Sequence, residues 1–120
     1  MNTRELGRYG EDIAVRYLEE RGYRLIARNF YCRYGELDLI MQQGRQLVFV
    51  EVKARTSSRY GFPEDAVNFQ KLRKLRQAIA VYLEQEQAPR HYGLRLDAIA
   101  VDLERQTYRV MDIRHYQNIG

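Results

Sequence analysis

Charged side chains interrupt two apolar runs in the first half of the chain. Asp38 stands within the run 36–41, and Glu51 and Lys53 stand within the run 47–54. A charge inside an apolar strand is unfavourable unless it is paired, hydrogen-bonded or bound to a metal. Two converging carboxylates form an oxygen-ligand site of the kind that Mg²⁺ and Mn²⁺ prefer. The pattern therefore predicts a metal site with Asp38 and Glu51 as ligands.

A divalent ion at such a site would hold a phosphate, activate water and stabilise charge on phosphate oxygens. Lys53 lies two residues beyond Glu51 and therefore shares its strand face. Its ammonium group could orient or deprotonate the attacking water, or neutralise the transition state. Glu11, at the margin of the apolar stripe of the first helix, is a candidate for a further carboxylate. The candidate catalytic set is Glu11, Asp38, Glu51 and Lys53.

A purely structural role fits the same residues. Glu-x-Lys is common in strands, and Glu51–Lys53 or Glu36–Arg55 can form ion pairs without any chemistry. Glu11 taken alone is typical of a solvated helix residue. The two interpretations differ in what they require of the strands. Catalysis needs the Asp38 and Glu51 carboxylates on one face of the sheet, whereas separate ion pairs do not.

The spacing of apolar residues predicts the element order α-β-β-β-α-β-β. The predicted helices cover 3–21 and 66–86, and the predicted strands cover 23–31, 36–41, 47–54, 94–101 and 108–113. This order is typical of an α/β fold in which helices flank a central mixed sheet. No repeat or linker divides the sequence, so residues 1–120 are expected to form a single domain.

The link 42–45 between the second and third strands is short enough for an antiparallel hairpin. An even loop, of Gln43-Gly44 or of all four residues, places Asp38 opposite Phe49. Glu51 is then the diagonal neighbour on the same face, about 7–8 Å away. An odd loop without a bulge would send the two carboxylates to opposite faces.

Composition narrows the class of protein. Of 120 residues, 45% are hydrophobic and 30% are charged, which is ordinary for a folded domain. The lone Cys32 predicts a reduced thiol, and two histidines are too few soft ligands for zinc. Neither a secretory signal nor a membrane-spanning stretch is present in the sequence. We therefore expect a cytoplasmic protein without a membrane partner.

The net charge of +4 and the pI of about 9.3 favour association with polyanions. The segment Lys71–Arg76 places four cations in six residues of the second helix. A solvated helix face is the alternative explanation for these cations. The residues predicted to contact phosphates, without reading base sequence, are Arg55, Arg59, Lys71, Lys74 and Arg76.

Some residues carry weaker signals. Tyr31, Tyr34 and Tyr60 neighbour the candidate site, where packing is the favoured role and base stacking the alternative. Asp97 lies between apolar residues of a predicted strand, and its role is open. His91 and His115 fall outside any site pattern and are assigned no role.

Five motifs together resemble the bacterial YraN-like family over nearly the whole chain. They are Gly10-Glu11, Arg28-Asn29-Phe30, Gly35–Ile40, Leu47–Arg55 and Pro63–Val67. Two positions depart from the family pattern conservatively: Phe30 replaces a frequent Trp, and Asp65 a frequent Glu. That family is similar to the PD-(D/E)xK nucleases near archaeal Holliday-junction resolvases. The resemblance implies a restriction-endonuclease-like fold.

It also implies roles for particular residues, with Asp38, Glu51 and Lys53 as the signature set and Glu11 as the added helix carboxylate. The activity implied is hydrolysis of phosphodiester bonds in DNA by an endonuclease that uses Mg²⁺ or Mn²⁺. Branched or structured DNA is one candidate substrate, DNA is favoured over RNA, and a homodimer is expected as in the resolvases. The alternative is a non-catalytic module that holds nucleic acid or a protein partner on a nuclease-like fold.

Overall fold

Two helices and five strands organise the chain, as seen in a computed structural model that describes residues 1–56, 68–88 and 91–120. In chain order they are α1 (Thr3–Glu19), β1 (Arg24–Cys32), β2 (Gly35–Gln43), β3 (Gln46–Arg55), α2 (Phe69–Gln85), β4 (Gly93–Leu103) and β5 (Val110–Tyr116). The predicted α/β class and element order are confirmed. The predicted start of the second helix, at residues 66 and 67, lies outside the described residues.

The strands form one mixed sheet in the order β1-β2-β3-β4-β5. β3 and β4 are parallel, and the other neighbouring strands are antiparallel. Helix α1 packs on one face of the sheet and helix α2 on the other, so each face carries its own apolar core. Neither described helix is long and apolar enough to cross a membrane.

The alternation of β3 explains how one strand serves both cores. Val48 and Val50 pack against the α1 side, whereas Leu47 and Phe49 pack against the α2 side. Successive side chains of a strand point to opposite faces, so a continuous apolar run suits a strand that is covered twice. Charged residues placed later in this strand therefore stand at the end of a buried segment.

Helix α1 begins at a capping box. The Asn2 side chain accepts the backbone N–H of Glu5 at 2.8 Å, and the Glu5 carboxylate accepts the backbone N–H of Asn2 at 3.0 Å. This reciprocal pair satisfies amides that a helix start otherwise leaves without partners. Helix geometry thus holds from the first turn, which lies near the candidate site.

Gly10 allows α1 to approach the sheet closely. A Cβ atom at this position would lie 2.5 Å from the Cβ of Ala54 on β3. Real Cβ atoms do not tolerate such a separation, so only glycine fits unless the helix moves. The close approach brings the next residue, Glu11, over the part of the sheet where β2 and β3 carry their acidic residues.

The β2–β3 hairpin turns through two residues, Gly44 and Arg45, with Gln43 paired to Gln46. The even loop that was predicted is confirmed, although it uses different residues from those expected. Gly44 has a φ of +57°, the conformation that tight two-residue turns require. Glycine therefore fixes where the hairpin turns.

The predicted register of this hairpin is wrong by two residues. Phe49 pairs with Ile40, not with Asp38. The difference arises because the turn lies one residue later than either predicted loop centre. Pairing between β2 and β3 ends at Leu39 with Val50, so it includes neither Asp38 nor Glu51, and the predicted diagonal relation between them is not formed.

Asp97 on β4 is fully buried, and hydrogen-bond donors compensate its negative charge. Its side chain is 0% exposed, and Arg95 donates to both carboxylate oxygens at 2.9 Å. His115 Nε2 donates at 2.7 Å, and the backbone N–H of Asn118 donates at 2.9 Å. Burial would raise the pKa of Asp97, but these donors outweigh it and hold the pKa below its usual value. The open role of Asp97 is thus a structural one, and His115, to which no role was assigned, takes part in it.

The contrast between two glycines of α1 gives a stability test. We expect Gly10→Ala to destabilise the fold by about 1–3 kcal/mol, because the new methyl group overpacks the contact with Ala54. Gly7→Ala is the matched control: a Cβ at Gly7 meets nothing within 4 Å. That variant should stabilise the helix by about 0.5–1 kcal/mol. Urea unfolding measures both, and equal effects of the two substitutions would contradict the close packing.

Removing the Asp97 carboxylate should destabilise the fold by about 3–5 kcal/mol, since Asp97→Ala leaves Arg95 buried without its partner. The exposed Asp112 on β5 provides the control, and Asp112→Ala should change stability by about 0.5 kcal/mol or less. The pKa of Asp97 in the folded protein lies below the ordinary 3.8, so its ionised side chain stabilises the fold above pH 3.8. This stabilisation is lost as the pH falls through the folded pKa. Thermal unfolding should therefore show wild type and Asp97→Ala converging in acid.

Candidate functional site

Strands β2 and β3 stop pairing just where their acidic residues begin. The last pair towards the site is Leu39 with Val50. Beyond it, the backbone N–H of Val52 donates to Asp38 Oδ2 at 2.9 Å. The Asp38 carboxylate thus satisfies a main-chain donor that the neighbouring strand leaves unpaired. The strands part at this point, and Asp38 lies at the opening between them.

The alternation of β2 changes at the same place. Leu37 belongs to the core beneath α2, although Leu39 belongs to the core beneath α1. Residues two apart in a regular strand share a face, so β2 does not alternate regularly through Asp38. Regular alternation along 36–41 would predict that Leu37, Leu39 and Met41 share one side, and the structure shows that this prediction is wrong. The irregularity accompanies the loss of pairing with β3.

Three carboxylates converge at this opening. One oxygen each of Glu11, Glu36 and Asp38 lies within 4.8 Å of the others, and all three side chains are half-buried. They come from α1 and β2. Glu51 on β3 is close enough for its charge to raise the pKa of Asp38. Three carboxylates thus share one small volume, and Glu51 on β3 is an electrostatic neighbour of Asp38 outside that group of three.

An asparagine amide holds two of these carboxylates together. Asn29 Nδ2 donates to Glu11 Oε1 at 3.0 Å and to Glu36 Oε1 at 2.7 Å. Asn29 has a φ of +53°, a left-handed conformation that asparagine adopts more readily than most residues. Beside it, Arg28 forms two ion pairs: Nη2 lies 3.4 Å from Glu11 Oε1, and Nη1 lies 2.8 Å from Asp12 Oδ1. Strand β1 therefore fixes the orientation of Glu11 and neutralises part of its charge.

Burial and mutual repulsion make the acidic cluster costly in the absence of a cation. Burial and the neighbouring Glu51 raise the pKa of Asp38 to about 8, against the hydrogen bond from Val52. Burial also raises the pKa of Glu51, whereas the ammonium group of Lys71 opposes that rise. Both shifts show carboxylates that lack sufficient positive charge around them. A divalent cation would supply that charge.

Glu51 has an oxygen available for such a cation. Its Oε1 lies 3.4 Å from Lys71 Nζ, but its buried Oε2 has no hydrogen-bond partner among the described residues. The side chain is 18% exposed, so water satisfies this oxygen poorly. A buried acceptor without a donor is unfavourable unless another group binds it. The candidate metal ligands are all carboxylate oxygens, and such ligands suit Mg²⁺ or Mn²⁺ and not a thiophilic metal.

The structure brings most of the predicted catalytic residues together. Glu11, Asp38 and Glu51 lie around the opening between β2 and β3. Lys53 is exposed on the same face of β3 as Glu51, and its charge lowers the pKa of Glu51. The predicted set therefore consists of a half-buried acidic centre with one solvent-accessible ammonium group at its rim.

The residues predicted to bind phosphate are more dispersed. Lys71 contacts Glu51 and so belongs to the acidic centre, while Lys74 is exposed on α2. Arg76 donates to the Gly120 carbonyl at 2.7 Å. Arg55 is half-buried. Arg59 lies outside the described residues.

Sequence reasoning did not assign two residues of the cluster. Glu36 stands two residues before Asp38, and this spacing was the available signal for it. Asn29 belongs to one of the motifs that resemble the YraN-like family, but an amide suggests no particular chemistry. Its importance becomes visible only through its contacts with Glu11 and Glu36.

Comparison with known proteins places the chain in a family. Residues 10–101 match the uncharacterised protein family UPF0102. A UPF0102 protein of Mycolicibacterium vanbaalenii is 43% identical over 117 residues, covering 97% of this chain and 93% of the relative. One from Syntrophomonas wolfei is 43% identical over 103 residues, covering 85% and 88%. One from Caldicellulosiruptor saccharolyticus is 40% identical over 118 residues, covering 98% of each. The chain belongs to the UPF0102, or YraN-like, family.

Neutralising Asp38 should stabilise the metal-free protein in a pH-dependent manner. The folded pKa of about 8 exceeds the ordinary 3.8, so ionisation increasingly penalises the folded state as pH rises between these values. Asp38→Asn keeps an acceptor for Val52 and removes the charge. At about pH 9 it should raise the free energy of unfolding by at least about 1.4 kcal/mol, the equivalent of one pKa unit.

Urea unfolding in a chelator tests this expectation, with Asp112→Asn as the control for losing an exposed carboxylate. Near pH 4 the difference between wild type and Asp38→Asn should nearly vanish. A difference that stays constant between the two pH values would show that repulsion within the acidic cluster is negligible.

Proposed function

We propose that the chain is a Mg²⁺- or Mn²⁺-dependent nuclease of the PD-(D/E)xK type that hydrolyses phosphodiester bonds of DNA in the cytoplasm. The carrying observation is the cluster of carboxylates where β2 and β3 part, with an oxygen on Glu51 that has no hydrogen-bond partner in the described part of the chain. Asp38, Glu51 and Lys53 stand in the order and spacing of that superfamily's signature. Geometry and motif therefore support the same chemistry.

Asp38 and Glu51 are the residues that would hold the ion, with Glu36 and Glu11 near enough to bind it directly or through water. The bound ion supplies Lewis-acid stabilisation of phosphate oxygens and a lowered pKa for water. The protein contributes a fixed arrangement of the ligands. Asn29 orients Glu11 and Glu36 through its two hydrogen bonds, and Val52 orients Asp38 through one.

Two lysines contribute positive charge to this centre. The exposed ammonium group of Lys53 is accessible to a phosphate or to the attacking water on the same face as Glu51. Lys71 neutralises Glu51 at 3.4 Å in the metal-free chain. A cation held by Glu51 would supply that neutralisation instead and would leave the Lys71 ammonium group available for a phosphate. These contacts recognise the backbone and not the bases, so selectivity rests on the shape of the DNA, including branched DNA.

Metal titration together with cleavage tests this proposal. We expect Glu51→Gln and Lys53→Ala each to lower Mn²⁺-dependent cleavage at least about 100-fold, because each removes a charge that acts on the transition state. Isothermal titration with Mn²⁺ separates the two roles: Glu51→Gln should lose metal binding, and Lys53→Ala should keep it. The substrate panel comprises linear duplex, single-stranded and branched DNA.

Asp112→Ala serves as the control, since it removes an exposed carboxylate of β5 far from the acidic centre. Unchanged cleavage by both Glu51→Gln and Lys53→Ala would rule out this mechanism.

The ion pair between Lys71 and Glu51 favours a second candidate, a module that binds nucleic acid without cutting it. An internal ammonium group can partly satisfy the acidic centre without any metal. With the net charge of +4, salt-sensitive DNA binding would follow. Binding without hydrolysis in Mg²⁺ and Mn²⁺ across the whole panel would support this candidate over the nuclease.

A further inference from the structure

A cavity of about 410 Å³ opens directly beside the acidic centre. It lies between the first half of α1 and the end of β1, and it shares Glu11, Asn29 and Glu36 with that centre. Its size falls within the range of small-ligand pockets, about 300–1,000 Å³. A molecule in this cavity would be continuous with one bound at the carboxylates.

Two arginines on the helix side of the cavity have no partner among residues 1–56, 68–88 and 91–120. Arg4 and Arg8 are four residues apart, hence one helical turn apart, and both are exposed. Within the described part of the chain, neither makes an ion pair or a hydrogen bond, whereas Arg28 next to the cavity is bound to Glu11 and Asp12. Two free guanidinium groups on one side of a cavity suit phosphate oxygens.

The strand side of the cavity presents an exposed aromatic ring. Tyr31 is 69% exposed and lines the same space. Exposed aromatic side chains next to cationic groups are the usual platforms on which nucleic-acid bases stack. A base inside a duplex is already stacked on both faces, so a ring of this kind can only receive an unpaired base.

Gly7 leaves open space on the helix side of the cavity. Glycine within a helix is less favourable than alanine, so its presence asks for a reason. Packing gives none, because a Cβ at Gly7 would meet nothing within 4 Å. Gly7 nevertheless lines the cavity between Arg4 and Arg8. A methyl group there would occupy space that a bound strand needs for close approach to the helix.

We propose that this cavity is a nucleotide subsite in which Tyr31 stacks on an unpaired base while Arg4 and Arg8 hold its flanking phosphates. The inference rests on the proposed nuclease function, because it places the cleaved phosphate at the adjoining carboxylates. It adds the substrate class: DNA with an unpaired nucleotide next to the cleaved bond. Single strands, overhangs and branch points meet this condition, and an uninterrupted duplex does not.

Binding is measured by fluorescence anisotropy with the full chain in Ca²⁺, using labelled single-stranded DNA, blunt duplex and duplex with an overhang. Wild type should bind the single strand and the overhang more tightly than the blunt duplex. Tyr31→Ala should weaken binding to both by about ten-fold, and Tyr31→Phe should restore it. Met111→Ala, an exposed apolar residue on the opposite edge strand, should have no effect.

The arginines and Gly7 provide two further readouts. The salt dependence is the slope of the logarithm of the affinity for single-stranded DNA against the logarithm of the salt concentration. Arg4→Ala and Arg8→Ala should each reduce this slope by about 0.7. Arg16→Ala, in the last turn of α1, should leave it unchanged. Gly7→Ala should raise the melting temperature by about 4 °C while weakening binding several-fold. A residue with a merely structural role cannot change stability and affinity in these opposite directions.

The two proposals can fail separately. The proposed subsite would be overturned if Tyr31→Ala and Gly7→Ala bound DNA as tightly as the wild type does. It would also be overturned if the wild type bound the blunt duplex and the overhang duplex equally. Either result would count against the subsite even if the protein cleaves DNA. The expected binding pattern without any cleavage in Mn²⁺ would overturn the nuclease and leave the subsite supported.

Discussion

The hydrogen bond between the Val52 amide and the Asp38 carboxylate is the interaction on which the acidic centre depends. It replaces a main-chain contact at the point where β2 and β3 part, so the partly buried Val52 amide keeps a hydrogen-bond partner while the Asp38 carboxylate stays within the sheet. The burial that raises the pKa of Asp38 also keeps competing water away. Glu36 precedes Asp38 on the same strand, and the close packing at Gly10 brings Glu11 from the helix.

Two acidic residues of the same sheet, Asp97 and Glu51, differ in how fully their charge is compensated. Both carboxylate oxygens of Asp97 accept hydrogen bonds, and its pKa is lowered. Asp97 therefore stabilises the fold at every pH at which it is ionised. Glu51 has one oxygen near Lys71, one without a described partner, and a raised pKa. Evenly compensated charge is typical of a structural role, whereas under-compensated charge is what the proposed binding of a cation would relieve. The cores on both sides of the sheet offset that local instability.

The sequence predicted the order of elements well, because alternating and helical apolar spacing is a local property. It also predicted an even hairpin loop, but not its register, since polar residues fill the link and Gly44 fits more than one turn position. The cluster of Glu36 with Asn29 depends on a left-handed backbone that spacing does not reveal. Likewise, the Lys71–Glu51 contact depends on how α2 lies across β3, which no short segment encodes.

The capping box of α1 has a consequence for how this surface treats anions. Asn2 and Glu5 already engage two amides at the helix start, and these amides are rigid donors of the kind that cradle phosphate in many nucleotide-binding folds. In the proposed subsite, contacts to phosphate would therefore fall to the long guanidinium side chains of Arg4 and Arg8. Such groups can follow a backbone through many bends, so the proposed subsite would tolerate irregular polynucleotide geometry and would not demand one fixed pose.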